Sequence, residues 1–296
     1  MQITIGSTAT LDRLDKVYVL LNSIKANKQP STIIDYTLFL KVSRKNDWDL
    51  CSAEQLYSYF APLQSETFRL HVENVDIFKY LVNTPYRDHM YFAKCLFPYF
   101  FQTDRVLFLD VDIVMMRPGI EELWESDIAD YYAGAVIDPT WQYCQAYKHD
   151  KLNTGTDNYF NAGVILFNNS YIRDTGMSAK LSHWCLNWDY RELQYICYDQ
   201  TLLNYLFKDR VKLLNFKYNN TLLASLGVAK DAYDHAIGAF GYLDPLDSLQ
   251  HAVFVHFCGS KKPWDPLALK QPESEYPYKD EAVQLWSSLY NKYKHA

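Results

Sequence analysis

These 296 residues contain no run of basic residues longer than the pairs Arg44-Lys45 and Lys261-Lys262, and the formal net charge is −6. A nucleic-acid binder would carry a basic face, so nucleic acid is not an expected partner. C-x-x-C is also absent. The six cysteines, Cys51, Cys95, Cys144, Cys185, Cys197 and Cys258, are scattered and suggest neither a zinc knuckle nor a redox motif. No apolar run is long enough to span a bilayer. The opening MQITIGSTAT lacks the basic and apolar regions of a secretory signal. A cytoplasmic protein with reduced thiols is therefore expected. Internal repeats and low-complexity linkers are lacking too.

What is present is apolar and aromatic. Hydrophobic residues make up 49% of the chain, enough for a sizeable core, and there are 25 Tyr, 16 Phe and 7 Trp. So many rings fit a heavy core or a surface that stacks on sugars, and core packing accounts for most of them. The pattern alternates strand and helix. Gln2 to Gly6 reads as a strand, followed by the polar stretch Ser7 to Thr10. Leu14, Val17, Leu20, Leu21 and Ile24 form one helical face within Leu11 to Ala26. Tyr36 to Val42 is a second strand. Ser52 to Phe60 is a helix with Leu56, Tyr59 and Phe60 inward, and Thr67 to Val72 is a third strand. Met90 to Phe101 reads as a helix despite Pro98. Later strands are expected at Tyr131–Ile137, Tyr159–Phe167, Val211–Phe216 and Ala252–Phe257, with helices around Trp184 and Trp188, over Asp199–Phe207 and over Lys279–Tyr293. This rhythm predicts an α/β fold with a mostly parallel, Rossmann-like sheet and helices on both faces. Residues 1–264 would form one domain and residues 265–296 a C-terminal extension with one helix.

The centre of the pattern is RVLFLDVDIVMMRP, Arg105 to Pro118. Two acids within so much apolar sequence are costly unless paired or bound to a metal. If the strand continues through them, Asp110 and Asp112 face the same way, with Val111 turned into the core. Alone, this D-x-D favours a capping Asp and an ion-paired Asp over a cation site. Three more features join it. Asn161-Ala162-Gly163 interrupts an apolar strand, where a buried Asn needs partners and a Gly admits close approach. Asp199-Gln200 opens a helix, as an N-cap acid often does. His256 ends a strand that runs into Gly259 and Lys262. Imidazole is a good ligand for Mn²⁺, and a lysine suits a phosphate. Open α/β sheets bind ligands at the carboxyl ends of their strands, so two carboxylates, an imidazole and a lysine there could make a metal–diphosphate site.

The combination of VLFLDVDIVM, YFNAGVILFN, YDQTLLN and VHFCGSKKPW, between Tyr91 and Trp264, resembles the retaining nucleotide-sugar transferases of glycosyltransferase family 8. The resemblance implies a GT-A type fold, a UDP-sugar donor and Mn²⁺. It implies Asp110, Asp112 and His256 as metal ligands, with Gly259 and Lys262 on the diphosphate and Lys94 where the family usually has an Arg near the donor. Asp138, Asn161, Asp199 and Gln200 would surround the transferred sugar. The chain departs from the family twice. Thr8 and Thr10 stand where acidic or Asn residues usually meet the uracil. Asp199-Gln200-Thr201 replaces a common Asp-Gln-Asp, so no carboxylate nucleophile is available at the third position. The implied activity is Mn²⁺-dependent transfer of a hexose from a UDP-hexose to a glycan hydroxyl, with same-face attack and Gln200 and Asp199 at the reacting centre. The acceptor glycan would sit on a lipid, a polysaccharide or a glycoprotein.

Two rivals are kept. D-x-D-x-V after an apolar strand also resembles the opening motif of aspartate-nucleophile phosphatases, with Asp244 and Asp247 as the best later acids. A non-catalytic glycan-binding relative with the same fold is the other. The tail helix places Val283, Trp286, Tyr290 and Tyr293 on one stripe. From residue 270 on, its lysines are balanced by acids, whereas a membrane-surface helix would be more basic. Docking on the rest of the chain is expected, and any membrane contact would be peripheral. Asn168-Asn169-Ser170 and Asn219-Asn220-Thr221 match the glycosylation pattern. The loops Asn83–Met90 and Pro139–Asn158 are candidates for reading the acceptor.

Overall fold

The protein is described by a computed structural model covering residues 1–41, 53–74, 90–139, 158–187, 197–221, 248–259, 262–270 and 279–294. Among these, seven strands form one sheet in the order β3-β2-β1-β4-β7-β6-β8. They are β1 (Gln2–Thr10), β2 (Ile33–Lys41), β3 (Phe68–Asn74), β4 (Arg105–Leu109), β6 (Ala133–Ile137), β7 (Phe160–Asn168) and β8 (Val211–Leu213). The pairs β1–β2, β2–β3, β1–β4 and β6–β8 are parallel, while β7 runs antiparallel between β4 and β6. The sheet is mostly parallel, as the strand–helix alternation predicts. The central strands carry unbroken apolar runs because both faces are covered. One face packs on the helices Leu14–Asn27 and Ala53–Phe60. The other packs on Met90–Ala93, Met177–Asn187 and Tyr198–Leu206.

A second, two-stranded sheet pairs β5 (Ile113–Met115) antiparallel with β9 (Phe254–His256), and it lies beyond the C-terminal end of β4. It sits under the C-terminal helix Lys279–Lys294, whose buried Ala282, Trp286, Leu289 and Tyr293 include two of the four residues of the expected stripe. Trp286 packs on Trp264 at 4.3 Å, and Asn22 Nδ2 donates to the Tyr293 carbonyl at 2.6 Å. The helix docks on the first helix, as expected from its charge balance. No helix among the described residues is long and apolar enough to cross a membrane.

Several local expectations are corrected. β1 continues through Ser7 to Thr10, because the Ser7 hydroxyl is buried and donates to the Leu109 carbonyl, so a polar side chain is accommodated inside the strand. Tyr59 is 42% exposed rather than inward, while Leu56 and Phe60 are buried. Met90 to Phe100 is three successive turns, Met90–Ala93, Lys94–Leu96 and Phe97–Phe100, with a 3₁₀ segment in the middle and Pro98 at the start of the last. Pro is well tolerated there, where its missing N–H costs nothing. β8 ends at Leu213, and Phe216 lies in a 3₁₀ turn. Trp188, most of the Asn83–Met90 and Pro139–Asn158 loops, and Asp244 and Asp247 lie outside the described residues.

Candidate active site

Asp110 and Asp112 do not share a strand. β4 ends at Leu109, Val111 and Asp112 form a turn, and β5 begins at Ile113. The same-face argument for a continuous strand therefore fails, and the two carboxylates converge for a different reason. The β5–β9 register sets His256 directly across from Ile113, next to Asp112. The Phe257 N–H donates to the Asp112 carbonyl at 3.0 Å, which closes the corner. His256 Nε2 then lies 3.2 Å from Asp112 Oδ1 and 3.8 Å from Asp110 Oδ2. One ligand atom from each of the three residues falls within 4.8 Å of the others. Val111 packs against the core without being fully buried. Two carboxylate oxygens and an imidazole nitrogen facing one point are a donor set that fits a divalent cation such as Mn²⁺.

The second half of the site is a bulge in β7. Pairing with β6 jumps from Ala135↔Ile165 to Val136↔Asn161, leaving Ala162 to Val164 without ladder partners on that side. A bulge of this kind re-aims backbone groups near functional sites. Side chains capture the amides it releases. Gln200 Oε1 accepts from Ala162 N at 3.0 Å, and Asn161 Oδ1 accepts from Gly163 N at 2.9 Å. Both amide nitrogens turn to one acid: Gln200 Nε2 lies 2.9 Å and Asn161 Nδ2 3.4 Å from Asp138 Oδ2. On the other side, the Asp110 N–H donates to the Gly163 carbonyl at 2.8 Å.

Two lysines hold the acids. Lys94, with its side chain only 4% exposed, reaches Asp110 Oδ1 at 3.1 Å, Asp199 Oδ2 at 3.0 Å and the Ala162 carbonyl at 3.1 Å. Burial would lower its pKa, but Asp110 and Asp199 outweigh that and hold it above the ordinary lysine value. Lys262 pairs with Asp112 and donates to the Phe257 carbonyl at 2.6 Å. Burial opposes ionisation of Asp112, yet Lys262 and His256 together keep it well below the usual carboxylate range. Asp110 moves the other way. Desolvation raises it, Lys94 pulls it down, and the neighbouring Asp112 pushes it up again.

A sequence profile for glycosyl transferase family 8 matches residues 5–268. The chain belongs to that family. It is 26% identical over 223 residues to the glycosyltransferase GlyA of Streptococcus pneumoniae, covering 75% of this chain but 27% of GlyA. It is 28% identical over 201 residues to the lipopolysaccharide 1,3-galactosyltransferase of Salmonella typhimurium, covering 67% of this chain and 55% of that one. The match thus spans about a quarter to a half of these two relatives. Among solved structures, the galactosyltransferase LgtC in complex with donor and acceptor sugar analogs superposes with a TM-score of 0.59 at 22% identity, covering 97% of this chain and 96% of LgtC. The fold is that of the GT-A glycosyltransferases.

The family resemblance groups residues that the structure brings together: Asp110, Asp112 and His256 at one point, and Asp138, Asn161 and Gln200 at another, with Lys94 between Asp110 and Asp199. Gly259 takes φ +86°, a left-handed conformation suited to glycine, just past Phe257. Thr8 and Thr10 stand at the carboxyl end of β1, on the same edge of the sheet, where Thr10 Oγ1 donates to Asp12 Oδ1 at 2.5 Å. Sequence reasoning missed Asn219. It was visible only as a glycosylation sequon in an irregular stretch, yet it is fully buried, with Oδ1 3.0 Å from His256 Nδ1 and Nδ2 donating to Asn161 Oδ1 at 2.9 Å. The other sequon is also committed, since Asn168 Nδ2 donates to the Ile128 carbonyl at 2.8 Å. Tyr198, with φ +43°, holds a strained turn immediately before Asp199.

The glycine of the Asn-Ala-Gly motif has a specific role. A Cβ on Gly163 would lie 2.1 Å from His256 Cε1 and 2.4 Å from Nδ1, so the imidazole rests on the bare backbone. Gly163→Ala must displace a buried ring. It is expected to destabilise the fold by about 1–3 kcal/mol, the usual range for overpacking. Thermal denaturation reads this as a lower midpoint, and an unchanged midpoint would mean the ring does not rest there.

Proposed function

We propose that the chain is a retaining glycosyltransferase that moves a hexose, galactose or glucose, from a UDP-hexose to a hydroxyl of a glycan acceptor, with Mn²⁺ at Asp110, Asp112 and His256. The observation that carries this reading is the pairing of two different groups across one bulge. A cation-ready carboxylate–imidazole cluster faces an acid held by two oriented amides, Asp138 with Asn161 and Gln200. The first suits a diphosphate and the second a sugar's hydroxyls. A divalent ion at the first supplies charge stabilisation to the departing diphosphate.

The chain's own residues supply the rest. Lys262, beside Asp112 and past Gly259, is the ammonium suited to a phosphate oxygen as negative charge grows there. Asp138 orients the sugar, with its own carboxylate held by Gln200 and Asn161. The Gln200 carbonyl is in contact with the Ala162 N–H and keeps a second lone pair, which suits it to stabilise an oxocarbenium-like centre but not to bond to it. Asp199 is tied to Lys94 at 3.0 Å, which weakens it as a nucleophile. Thr201 is fully buried against the Tyr159 hydroxyl at 2.8 Å. These features favour same-face attack by the acceptor hydroxyl, its proton passing to the departing phosphate. The similarity to a lipopolysaccharide galactosyltransferase supports an acceptor glycan carried on a lipid, a polysaccharide or a glycoprotein.

The test is a screen of UDP-galactose, UDP-glucose and UDP-N-acetylglucosamine for UDP release with Mn²⁺, with no acceptor required. Release from one UDP-hexose, abolished by EDTA and restored by Mn²⁺, is the expected result. Glycan binding without release from any donor would assign the chain to the non-catalytic reading. A glycosyl adduct on Asp199, trapped and found by mass spectrometry, would overturn same-face attack.

A further inference from the structure

We infer that Asn219 is the positioning residue that turns His256 toward the cation: it holds the proton on Nδ1 and leaves Nε2 to face Asp110 and Asp112. The inference rests on the proposed cation site and follows from a chain of hydrogen bonds with one fixed end. The Gly163 backbone N–H can only donate, so the Asn161 atom 2.9 Å from it is the oxygen, Oδ1. That same oxygen contacts an Asn219 amide atom at 2.9 Å, which must therefore be the nitrogen, Nδ2. Asn219 Oδ1 is then the atom 3.0 Å from His256 Nδ1. An amide oxygen only accepts, so Nδ1 must carry a hydrogen. The opposite amide orientation would set two donors or two acceptors against each other in a fully buried place. A backbone amide in the β7 bulge thus dictates the state of a ring on another sheet.

Asn219 is itself held firmly. The next residue, Asn220, bridges β9: its N–H donates to the Phe254 carbonyl at 2.9 Å, and its carbonyl accepts from the His256 N–H at 3.0 Å. The side chain and the ring it addresses therefore hang from one piece of paired backbone. The ring has little room to compensate, because the bare backbone of Gly163 lies against its Cε1 and Nδ1 atoms. Partners of metal-bound histidines commonly fix the ring's proton in this way, and losing one typically costs 10–100-fold in metal affinity.

The experiment labels the histidines with ¹⁵N and reads His256 by long-range ¹H–¹⁵N correlation, in the metal-free protein and with Mg²⁺ as a diamagnetic probe. Mn²⁺ affinity is measured alongside by EPR. Wild type is expected to show a proton on Nδ1 in both states. Asn219→Leu is expected to move the neutral-ring proton to Nε2 and weaken Mn²⁺ binding by about 10–100-fold. Asn219→Asp, whose carboxylate still accepts from Nδ1 but gives up the donation to Asn161 Oδ1, is expected to keep the proton on Nδ1. An unprotonated Nδ1 in wild type overturns the inference without any variant. So does an Asn219→Leu protein that folds with the wild-type proton position and affinity. Wild type that shows the Nδ1 proton but binds no Mn²⁺ would refute the cation site while leaving the assignment of Asn219 to the ring in place.

Discussion

Asp112→Asn is expected to lower UDP release from the preferred UDP-hexose by about a thousandfold, the scale on which removing a group that stabilises developing charge acts. Asparagine keeps the shape and one oxygen, so the variant isolates the loss of charge. That charge is secured in the folded protein, since Lys262 and His256 hold the Asp112 carboxyl well below the usual range against the cost of burial. Its partners do not depend on it for burial. Lys262 retains the Phe257 carbonyl at 2.6 Å, and His256 retains Asn219. The fold is therefore expected to survive, with a lower unfolding midpoint because the paired carboxylate contributes stability. Steady-state rates across a Mn²⁺ titration check the prediction. A variant within tenfold of wild type at saturating Mn²⁺ would show that Asp112 does not carry the cation.

Lys94→Met is expected to cost about 3–5 kcal/mol of stability, the range for removing one partner of a buried ion pair. Methionine keeps a flexible stem where the Lys94 ammonium sits 4.4 Å over the Phe108 ring. It leaves Asp199, 9% exposed, and Asp110 facing each other without a cation. The sign of the pH dependence follows. Asp110 and Asp199 outweigh burial and raise Lys94 above its ordinary value of 10.5. The stabilisation is fully present below that value and is lost as pH rises through the higher folded-state value. Urea unfolding should show a constant gap between wild type and variant from neutral pH upward, narrowing only in strong alkali. A gap under 1 kcal/mol at neutral pH would mean that Lys94 is dispensable to the fold.

The helical face of Leu14 to Ile24, the apolar runs at Arg105–Leu109 and Phe160–Asn168, and the helix carrying Asp199 were all legible, because each is a local period of residue type, although Asp199 sits inside the first turn and Cys197 holds the N-cap position. Most of the proposed site residues lie in four short motifs whose combination resembles family 8, while Thr8, Thr10, Lys94 and Asp138 lie outside them. Failures occurred where a local pattern met a long-range constraint. Ser7 to Thr10 read as a polar stretch beyond the strand, but the Ser7 hydroxyl finds the Leu109 carbonyl across the sheet and the strand continues. Asp110 and Asp112 read as neighbours on one strand face, while the chain turns between them into a second sheet. Asn219 carried no local signal beyond a sequon, because its partners, Asn161 and His256, lie 58 and 37 residues away.

Residue type and periodicity alone were enough for the α/β class and most of its elements, while the acids, the imidazole and the lysines were singled out through the resemblance to family 8. The arrangement of those groups came only with tertiary structure. The β5–β9 register sets His256 beside Asp112, and the β7 bulge frees the amides that orient Asn161 and Gln200. The buried Lys94 joins the acid after β4 to the one that opens the Tyr198–Leu206 helix. Strand register and side-chain hydrogen bonds between distant segments depend on which surfaces meet once both faces of the sheet are covered. A one-residue slip would turn His256 away from the acids, and no local stretch of the chain encodes that choice.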